Sequence, residues 1–422
     1  MQTQITQDIL ASPDGQEADA ILRNCVHCGF CTATCPTYLL LGNELDGPRG
    51  RIYQIKQLLE GAQPSDSIQQ HLDACLLCRS CETTCPSGVD YHRLMEIGRA
   101  HLQSHHPRKF SDRAQRWLLR KILPRQWVFG TLLGLGRIMH PLLPDTLARQ
   151  VPLAKSSETF KESSQNLSRR MLILEGCVQP SLAPDINRST ARVLETLGIA
   201  LIKTPRAGCC GGVEHHLDDT RSSRQAARRN IDAWWPLLQE GAEALVITAS
   251  GCGQMIKEYD RLLADDPDYA DKAAQVAGAT RDIAEILSHE DLSPLGSVQE
   301  TRLNIAFHTP CTLQHGQGLN GVVEQIMTQL GFNLMPVSDS HLCCGSAGTY
   351  SILNPHLADR LGVQKSAALM SGTPDLIATA NIGCLTHIAK HLPEGIPILH
   401  WIEVVANQLP DHTSGSTSNG NL

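Results

Sequence analysis

The chain of 422 residues lacks several features that would assign it to common functional classes. No apolar run approaches the roughly 18 uninterrupted residues that a membrane span requires, and the longest candidate, 128–136, stops at Arg137. Residues 1–15 are polar and show no basic region followed by an apolar one, so we expect no secretory signal and a cytoplasmic location. The formal net charge of -7 leaves no basic excess, which argues against nucleic acid as a partner.

Two kinds of catalytic machinery are missing as well. No G-x-G-x-x-G follows a strand pattern, so there is no dinucleotide-binding fingerprint, and no Ser-His-Asp or paired-carboxylate constellation stands out. We therefore expect the difficult chemistry to reside on a cofactor, and we predict no catalytic residue on this chain. The length predicts two or three domains.

Cysteine, by contrast, is abundant. The chain has 16 cysteines, which fall in tight clusters rather than in the spread that a disulfide framework would show. Together with the missing secretory features, this clustering predicts a reduced, intracellular metalloprotein.

Eight cysteines form one motif that is present twice, C-x2-C-x2-C-x3-C-P, at 25–36 and 75–86. At this spacing three thiolates bind three corners of an iron-sulfur cube, and the fourth, before proline, ligates the other cluster. A zinc ribbon would instead need two C-x2-C pairs, and disulfides do not suit this chain. The motif predicts two 4Fe-4S clusters with crossed ligands: Cys25, Cys28, Cys31 and Cys85 for cluster 1, and Cys75, Cys78, Cys81 and Cys35 for cluster 2.

The segment between the two copies is long and has helical patterns. Cys75 lies 40 positions after Cys35, apolar residues recur on one face of 50–60, and Ser65 with Asp66 is expected to cap a helix at 68–74. We predict a two-cluster ferredoxin domain over 17–106 that is all-α, preceded by an extension at 1–16. These residues resemble the ferredoxin domain of succinate dehydrogenase iron-sulfur subunits.

Arg49 and Arg51 lie on the segment that joins the two halves of this domain. Two arginines near anionic clusters would offset the cluster charge and raise the reduction potentials. The alternative is a solvated basic turn, and the sequence does not decide between these interpretations.

The following segment, 107–168, is a connector in which basic residues alternate with tryptophans and aliphatic residues. A basic amphipathic helix with tryptophans can lie on an anionic membrane surface, which would give peripheral contact with the cytoplasmic face of the inner membrane. The favoured alternative is a helix that packs on the protein's own core or on a partner subunit. The serine-rich part, 155–168, is predicted to be a linker.

The other eight cysteines form a second repeat in the order C, CC-G, C. In each copy the first cysteine lies 32 positions before the vicinal pair, and the last lies 42 or 40 positions after it. The rigid vicinal pair suits two neighbouring irons of a cluster better than one tetrahedral zinc, although another metal, a redox thiol pair and structural thiols stay open. The copies are Cys177, Cys209, Cys210 and Cys252, then Cys311, Cys343, Cys344 and Cys384.

Strand and helix patterns alternate around each copy. Buried strands, mainly parallel, should deliver the cysteines from their carboxyl ends, which predicts two α/β lobes at 169–300 and 301–410 that are related by a pseudo-twofold axis. Residues 411–422 are predicted to be a disordered tail. The predicted strands are 171–174, 244–248, 303–307 and 376–379, and the predicted helices are 190–197 and 322–330.

These lobes resemble the cysteine-rich CCG domains of heterodisulfide reductases, whose repeats hold noncubane 4Fe-4S clusters. The fullest motif of that family ends C-x2-C, whereas here the last positions are Met255 and His387. The resemblance thus implies one or two further clusters but leaves their occupancy open. Of the histidines near these cysteines, we single out only His387, because it stands at a ligand position of the motif. The others are His215, His216, His308, His315 and His341.

Taken together, the domains resemble the iron-sulfur subunits of flavin-linked 2-hydroxy-acid dehydrogenases, and above all the glycolate oxidase (glycolate dehydrogenase) iron-sulfur subunits. The resemblance implies that FAD-containing partner subunits oxidise glycolate to glyoxylate and that this chain passes the electrons to a quinone or another acceptor, without glycolate turnover of its own. Lactate or glycerol-3-phosphate complexes and a thiol-disulfide reductase are the alternatives. The segments that carry the resemblance are 25–38, 45–53, 230–236, 248–253 and 339–350.

Overall fold

The computed structural model describes residues 1–142, 167–297 and 303–410. Most of the predicted linker at 155–168 and all of the predicted tail at 411–422 lie outside these ranges. Every regular element in 1–142 is a helix. The α-helices are α1 (Gln7–Leu10), α2 (Pro13–Asn24), α3 (Pro36–Leu41), α4 (Pro48–Leu59), α5 (Asp66–Asp73), α6 (Ser80–Thr83), α7 (Tyr91–His105), α8 (Phe110–Ile122) and α9 (Gln126–Met139), with short 3-10 helices at Phe30–Thr32, Glu44–Asp46 and His140–Leu142.

Local sequence signals account for the two helices between the cysteine motifs. Pro48 opens α4, where its missing N–H costs no hydrogen bond, and the Ser65 hydroxyl accepts the Ile68 N–H 3.3 Å away to cap α5. The apolar face of α4 is buried against α7. At this crossing a Cβ on Gly98 would lie only 2.6 Å from Ile55 Cγ1, so glycine permits the close approach of the two helices.

The N-terminal residues belong to the same helical unit. The Met1 amino group donates to the Cys25 carbonyl oxygen at 2.7 Å, and Ile5 is buried in the core formed with α2, α4 and α7. The segment 1–16, which we expected to be an extension, therefore packs on this helical core and contacts the first cysteine of the first motif.

Two four-stranded parallel sheets follow. The first lobe has strand order β2-β1-β3-β4 and the second has the matching order β6-β5-β7-β8. The first lobe contains β1 (Arg169–Ile173), α10 (Gln179–Leu182), α11 (Asp185–Thr196), β2 (Ile199–Lys203), α12 (Gly212–His216), α13 (Thr220–Gln239), β3 (Leu245–Ile247), α14 (Ser250–Lys257), α15 (Tyr259–Leu262), α16 (Ala270–Ala279), β4 (Thr280–Asp282), α17 (Ile283–Leu287) and a 3-10 helix at Ser293–Leu295. The second contains β5 (Asn304–His308), a π turn (Thr312–Gly316), α18 (Val322–Gln329), β6 (Asn333–Met335), α19 (Tyr350–Leu353), α20 (Pro355–Met370), β7 (Leu376–Thr379), α21 (Ile382–Ala389), β8 (Ile398–His400) and α22 (Trp401–Ala406).

The parallel α/β lobes confirm that part of the predicted fold class. β1, β3, β5 and β7 overlap the four predicted strands, and α11 and α18 overlap the two predicted helices. β1 and β5 are interior strands, as are β3 and β7, and the apolar runs of β1 and β5 are buried from both sides by helices. The sequence patterns did not indicate the edge strands β4 and β8, which have only three residues each.

The lobes exchange helices across their boundary. α22, at the end of the second lobe, packs on α11 of the first, and α17, at the end of the first, packs on α18 of the second. One continuous apolar core results, and Trp401 is completely buried in it. His400 Nε2 lies 2.9 Å from the Thr248 carbonyl oxygen across the same boundary. These paired contacts are the arrangement that a pseudo-twofold axis generates.

The helical unit sits on both lobes. The Tyr350 hydroxyl donates to the Ala74 carbonyl oxygen at 3.2 Å, and Arg79 forms an ion pair of 2.8 Å with Glu258. Arg108 bridges Asp73 of the helical unit and Asp218 of the first lobe. The second cysteine motif is thus held against the α/β lobes.

α8 and α9 have a different environment. No residue of α9 is fully buried, and Trp127 and Ile138 are 75% and 79% exposed. In the described part of the chain, α9 therefore packs mainly on α10 and the adjoining 3-10 helix, and not directly into the apolar core of the protein. Among the described residues, no helix is both long and apolar enough to cross a bilayer.

Candidate metal centres

The first cysteine motif forms one wall of a cavity, which we call cavity 1. The fourth cysteine of the second motif, Cys85, closes it from the other side. Burial raises the pKa of the Cys31 thiol to about 11, and the neighbouring thiolates of Cys25, Cys28 and Cys85 act in the same direction. A metal group that supplies positive charge would relieve this clustering. The thiols that line cavity 1 are Cys25, Cys28, Cys31, Cys81 and Cys85, and of these only Cys81 also lines the second cavity described below.

The second motif forms a second cavity, cavity 2, together with a cysteine from the first motif. Cavities 1 and 2 share Pro48, Cys81 and Tyr91 as lining residues, so the two lie side by side. Among the described residues, no aspartate or glutamate lines either cavity, and a donor set dominated by thiolates, with His27 beside cavity 1, fits iron-sulfur clusters better than it fits hard cations. The thiols that line cavity 2 are Cys35, Cys75, Cys78 and Cys81.

The backbone takes the same unusual course in both motifs. The residue before the second cysteine has a positive φ in each copy, 57° at His27 and 53° at Leu77. The residue after that cysteine does too, with 85° at Gly29 and 62° at Arg79. Three non-glycine residues in the left-handed region carry backbone strain, and such strain concentrates where a loop has to present ligands.

Arg51 lies against cavity 2 and is 1% exposed, so the solvated-turn interpretation is wrong for this residue. Burial disfavours the Cys75 thiolate, but Arg51 and Arg99 outweigh burial and lower the pKa of Cys75. Arg51 Nε donates to the His71 carbonyl oxygen at 2.7 Å, and its buried Nη2, which has no hydrogen bond among the described residues, forms an ion pair of 3.6 Å with Asp46. A buried guanidinium at the cavity wall that favours the thiolate form of Cys75 fits an anionic occupant.

Arg49 borders cavity 1 but differs from Arg51. Its side chain is 38% exposed and its Nε pairs with Glu44 at 2.6 Å. Much of its charge is therefore balanced by a carboxylate and screened by water.

In each α/β lobe the four cysteines of the repeat meet at the carboxyl ends of the strands. The first follows the central strand, the vicinal pair lies in the loop after the edge strand, and the last lies in the first turn of a helix. Neighbouring thiols are in contact along the series, for example Cys311 Sγ and Cys343 Sγ at 3.9 Å. The vicinal pairs of both lobes are buried.

Backbone conformation explains why a glycine follows the vicinal cysteines in each CC-G motif. Gly211 and Gly345 have φ values of 87° and 91°, in the region that disfavours any side chain. A Cβ on Gly345 would also lie 2.7 Å from the Ala358 carbonyl oxygen. The glycine thus turns the chain sharply after two adjacent thiols and keeps both directed to the same site.

His387, which we singled out from the motif, is occupied elsewhere. Its Nε2 lies 3.1 Å from the Ala358 carbonyl oxygen, and its ring contacts His391. The histidine that joins the thiols is His308, which can offer a ligand atom within 4.8 Å of Cys344 Sγ and Cys384 Sγ. In the first lobe Met255 is buried beside Gly212, next to Cys210.

Cavity 2 lies next to the thiols of the second lobe. Leu76 and Cys78 pack with Cys311, Cys343 and Tyr350 in one cluster. Burial raises the pKa of Cys78 well above its usual value, and Cys311 adds to that rise. The series of thiols thus runs from cavity 1 through cavity 2 into the second lobe. Sequence spacing gave no signal for this neighbourhood, because it depends on how separate domains pack.

Comparisons with known proteins agree with these sites. Residues 21–89 match the family described as a 4Fe-4S dicluster domain, and residues 171–257 and 305–389 match the family described as a cysteine-rich domain, CCG. Iron-sulfur clusters are therefore the cofactors of this chain.

Several curated proteins are similar over much of their length. The chain is 51% identical over 97% of its length to the glycolate oxidase iron-sulfur subunit of Escherichia coli K12, with 99% of that protein covered. It is 29% identical to the probable glycolate oxidase iron-sulfur subunit of Bacillus subtilis 168, over 86% of this chain and 87% of that one. Lactate utilization protein A of Bacillus licheniformis is 25% identical over 54% of this chain and 95% of that protein.

A solved structure shares the fold. The crystal structure of a hypothetical protein from Helicobacter pylori aligns with a TM-score of 0.56 over 96% of this chain and 73% of that one, at 10% identity. At this identity the similarity concerns the fold alone.

Proposed function

The chain belongs to the family of glycolate oxidase iron-sulfur subunits, and from this premise we propose that it carries electrons from an FAD-containing partner subunit, which oxidises glycolate to glyoxylate, to a quinone or another acceptor. The observation that carries the proposal is the unbroken series of thiols from cavity 1 to the second lobe. An electron-transfer subunit needs such a series, whereas an isolated structural metal site does not.

We assign the ligands of the two 4Fe-4S clusters by cavity. Cys25, Cys28, Cys31 and Cys85 hold cluster 1, and Cys75, Cys78, Cys81 and Cys35 hold cluster 2. The lining of the two cavities supports this crossed assignment, because Cys85 and Cys35 each face the other motif's thiols. Residues 17–106 then form an all-α ferredoxin domain, with 1–16 packed on it.

The bound clusters supply one-electron transfer, and the chain's own residues hold and tune them. Arg51 keeps positive charge beside Cys35 and Cys75, and the burial of Tyr91 and Pro48 between the cavities excludes water from their shared wall. In the lobes, 169–300 and 301–410, the buried CC-G thiols hold further clusters. Their burial leaves a disulfide substrate little access, which disfavours the thiol-disulfide reductase.

We propose that the hydroxy acid binds to the partner flavoprotein, so that glycolate turnover by this chain depends on that partner. We expect the isolated chain to turn over no glycolate with a dye acceptor, and the chain mixed with its flavoprotein partner to reduce the dye in a glycolate-dependent manner. Stopped-flow absorbance of the iron-sulfur band, with glycolate added last, measures the transfer directly.

The matched control replaces glycolate with lactate or glycerol 3-phosphate in the same complex. Faster reduction with either would assign the chain to a sister complex, since the substrate is chosen by the partner. Bleaching of the iron-sulfur band by glycolate without any flavoprotein would contradict the division of labour proposed here.

For the acceptor side we propose that the surface formed by α8 and α9 lies on an anionic membrane face. α9 contains no acidic residue, Arg113, Lys121 and Arg125 are exposed, and so are Trp117 of α8 and Trp127 of α9. Tryptophan with basic residues is the composition that suits a lipid interface.

Replacing Trp127 and Ile138 together with serine should abolish flotation of the chain with vesicles that contain anionic lipid. Wild-type protein should float with these vesicles and not with neutral ones, because both apolar burial and charge contribute. The control carries Ile352→Ser and Val363→Ser, two exposed apolar residues on the second lobe, and should float normally. The membrane proposal is wrong if wild-type protein does not float with the vesicles. If, in addition, the variant with both substitutions no longer binds the flavoprotein partner, the surface is a binding site for that partner.

A further inference from the structure

The two lobes repeat the same four cysteines but surround them differently. Three positions before the first cysteine, the first lobe has Leu174 and the second has His308. Both side chains are buried, with exposures of 4% and 2%. The repeat therefore places an imidazole in the second lobe where the first lobe has an aliphatic side chain.

A second pair of equivalent positions shows the same contrast. The residue 22 positions after the first cysteine of the vicinal pair is Ile231 in the first lobe and Lys365 in the second. Ile231 is completely buried in an apolar cluster with its lobe's vicinal cysteines. Lys365 is buried as well, and its Nζ donates to the carbonyl oxygens of Asp339 and Ser340 at 2.8 and 3.4 Å. The second lobe thus buries a cationic side chain where the first lobe buries an aliphatic one.

His308 has no other role in the described structure. Its Nε2 is buried without a hydrogen-bond partner, and the ring can offer a nitrogen within 4.8 Å of the Cys344 and Cys384 sulfurs. An unpartnered buried nitrogen costs free energy unless something binds it. The strand β5 ends at His308, which fixes the backbone of this residue beside the cysteine site.

From these observations we infer that His308 is a nitrogen ligand of the iron-sulfur centre of the second lobe, a role that Leu174 at the equivalent position of the first lobe cannot take. The inference rests on the proposed function, because it requires a cluster in the second lobe. His308, rather than His387, then compensates for the cysteine that the second lobe lacks at the end of its motif.

Mixed ligation by sulfur and nitrogen would change the reduction potential of the centre. Replacing thiolate by imidazole removes negative charge from a centre and raises its reduction potential. The second lobe, whose thiols adjoin cavity 2, would then have the higher potential of the two lobes. Electrons that arrive through the ferredoxin domain would collect there.

The test is pulsed EPR on the full-length chain, purified anaerobically and reduced, after labelling with ¹⁵N-histidine. We expect one signal with strong histidine nitrogen coupling. The coupling should be lost in His308→Leu, a substitution that introduces the residue found at the equivalent position of the first lobe, Leu174. His308→Cys should keep the iron of the second lobe, lose the coupling and shift the midpoint potential downward. His387→Gln should leave both the coupling and the potential unchanged.

Iron content separates failure of this inference from failure of the proposed function. If Cys343→Ser leaves the iron content and the EPR spectrum unchanged, or if the second lobe contains zinc, there is no cluster in that lobe and both ideas are wrong there. If Cys343→Ser removes iron and a signal, but no strong nitrogen coupling is found or the coupling survives in His308→Leu, the cluster exists and His308 is not its ligand.

Discussion

Replacing Cys85 with serine is expected to remove the cluster bound by the first motif, and replacing Cys35 is expected to remove the cluster bound by the second. Each variant should lose about four irons per chain, because one missing thiolate exposes an entire 4Fe-4S cube. Cavity geometry is the reason for the crossing, since Cys85 lines cavity 1 and Cys35 lines cavity 2. Iron and acid-labile sulfide analysis measures the loss, and EPR identifies which cluster remains.

The comparison needs a variant of a cysteine in the first motif that binds cluster 1 without crossing between motifs. Cys28→Ser should give the same residual EPR spectrum as Cys85→Ser, although the two residues lie in different motifs. If Cys85→Ser instead resembles Cys78→Ser, each motif binds its own cluster and the crossed assignment is wrong.

Arg51→Met should destabilise the protein by about 3–5 kcal/mol, because it leaves the partners of a buried charge uncompensated. Asp46 is buried and lies 3.6 Å from Arg51 Nη2, and Thr37 Oγ1 would lose a donor at 3.1 Å. We also expect a lower midpoint potential for cluster 2, because a positive charge beside Cys75 and Cys35 disappears. Anaerobic urea unfolding and an EPR-monitored redox titration give the two quantities.

Arg49→Met is the matched control, since Arg49 is two positions away and its side chain is well exposed. Its ion pair with Glu44 lies at the surface, where such pairs contribute roughly 0–1 kcal/mol. If both substitutions lower the stability and the midpoint potential equally, these quantities depend on the charge of the segment and not on the burial of Arg51.

Much of the architecture could be predicted from the sequence because its signals are local. Apolar runs that end near a cysteine predicted the four strands around the lobes' cysteine sites, and Ser65 correctly marked the start of a helix. The short edge strands were missed, since three residues such as Ile398–His400 are too few to show a period. The exchange of helices between lobes was not predicted either, because it depends on contacts between residues far apart in sequence.

In the candidate sites, too, the features that depend on local sequence could be predicted and those that depend on tertiary packing could not. Spacing alone predicted which cysteines belong to each motif, because the ligand geometry of a cluster is imposed on a short loop. It directed attention to His387, which stands at the motif position, whereas the structure directs His308 to the thiols. One signal was available: the two repeats differ at Leu174 and His308, at the carboxyl end of equivalent strands. The burial of Arg51 had no comparable signal, since its burial comes from packing between α4 and the second motif.

The exchanged helices also constrain when this protein can fold during its synthesis. α11 needs α22 to complete its apolar contacts, and Trp401 leaves the ribosome more than 200 residues after Asp185. At about 5–20 residues per second, the first lobe waits roughly 10–40 s for the helix that covers it. The ferredoxin domain, whose described core is contained in the N-terminal residues, has no such wait. The N-terminal cysteines can thus adopt their native loops while the lobe cysteines are still on an open chain, which favours an order of cofactor loading that follows the order of translation.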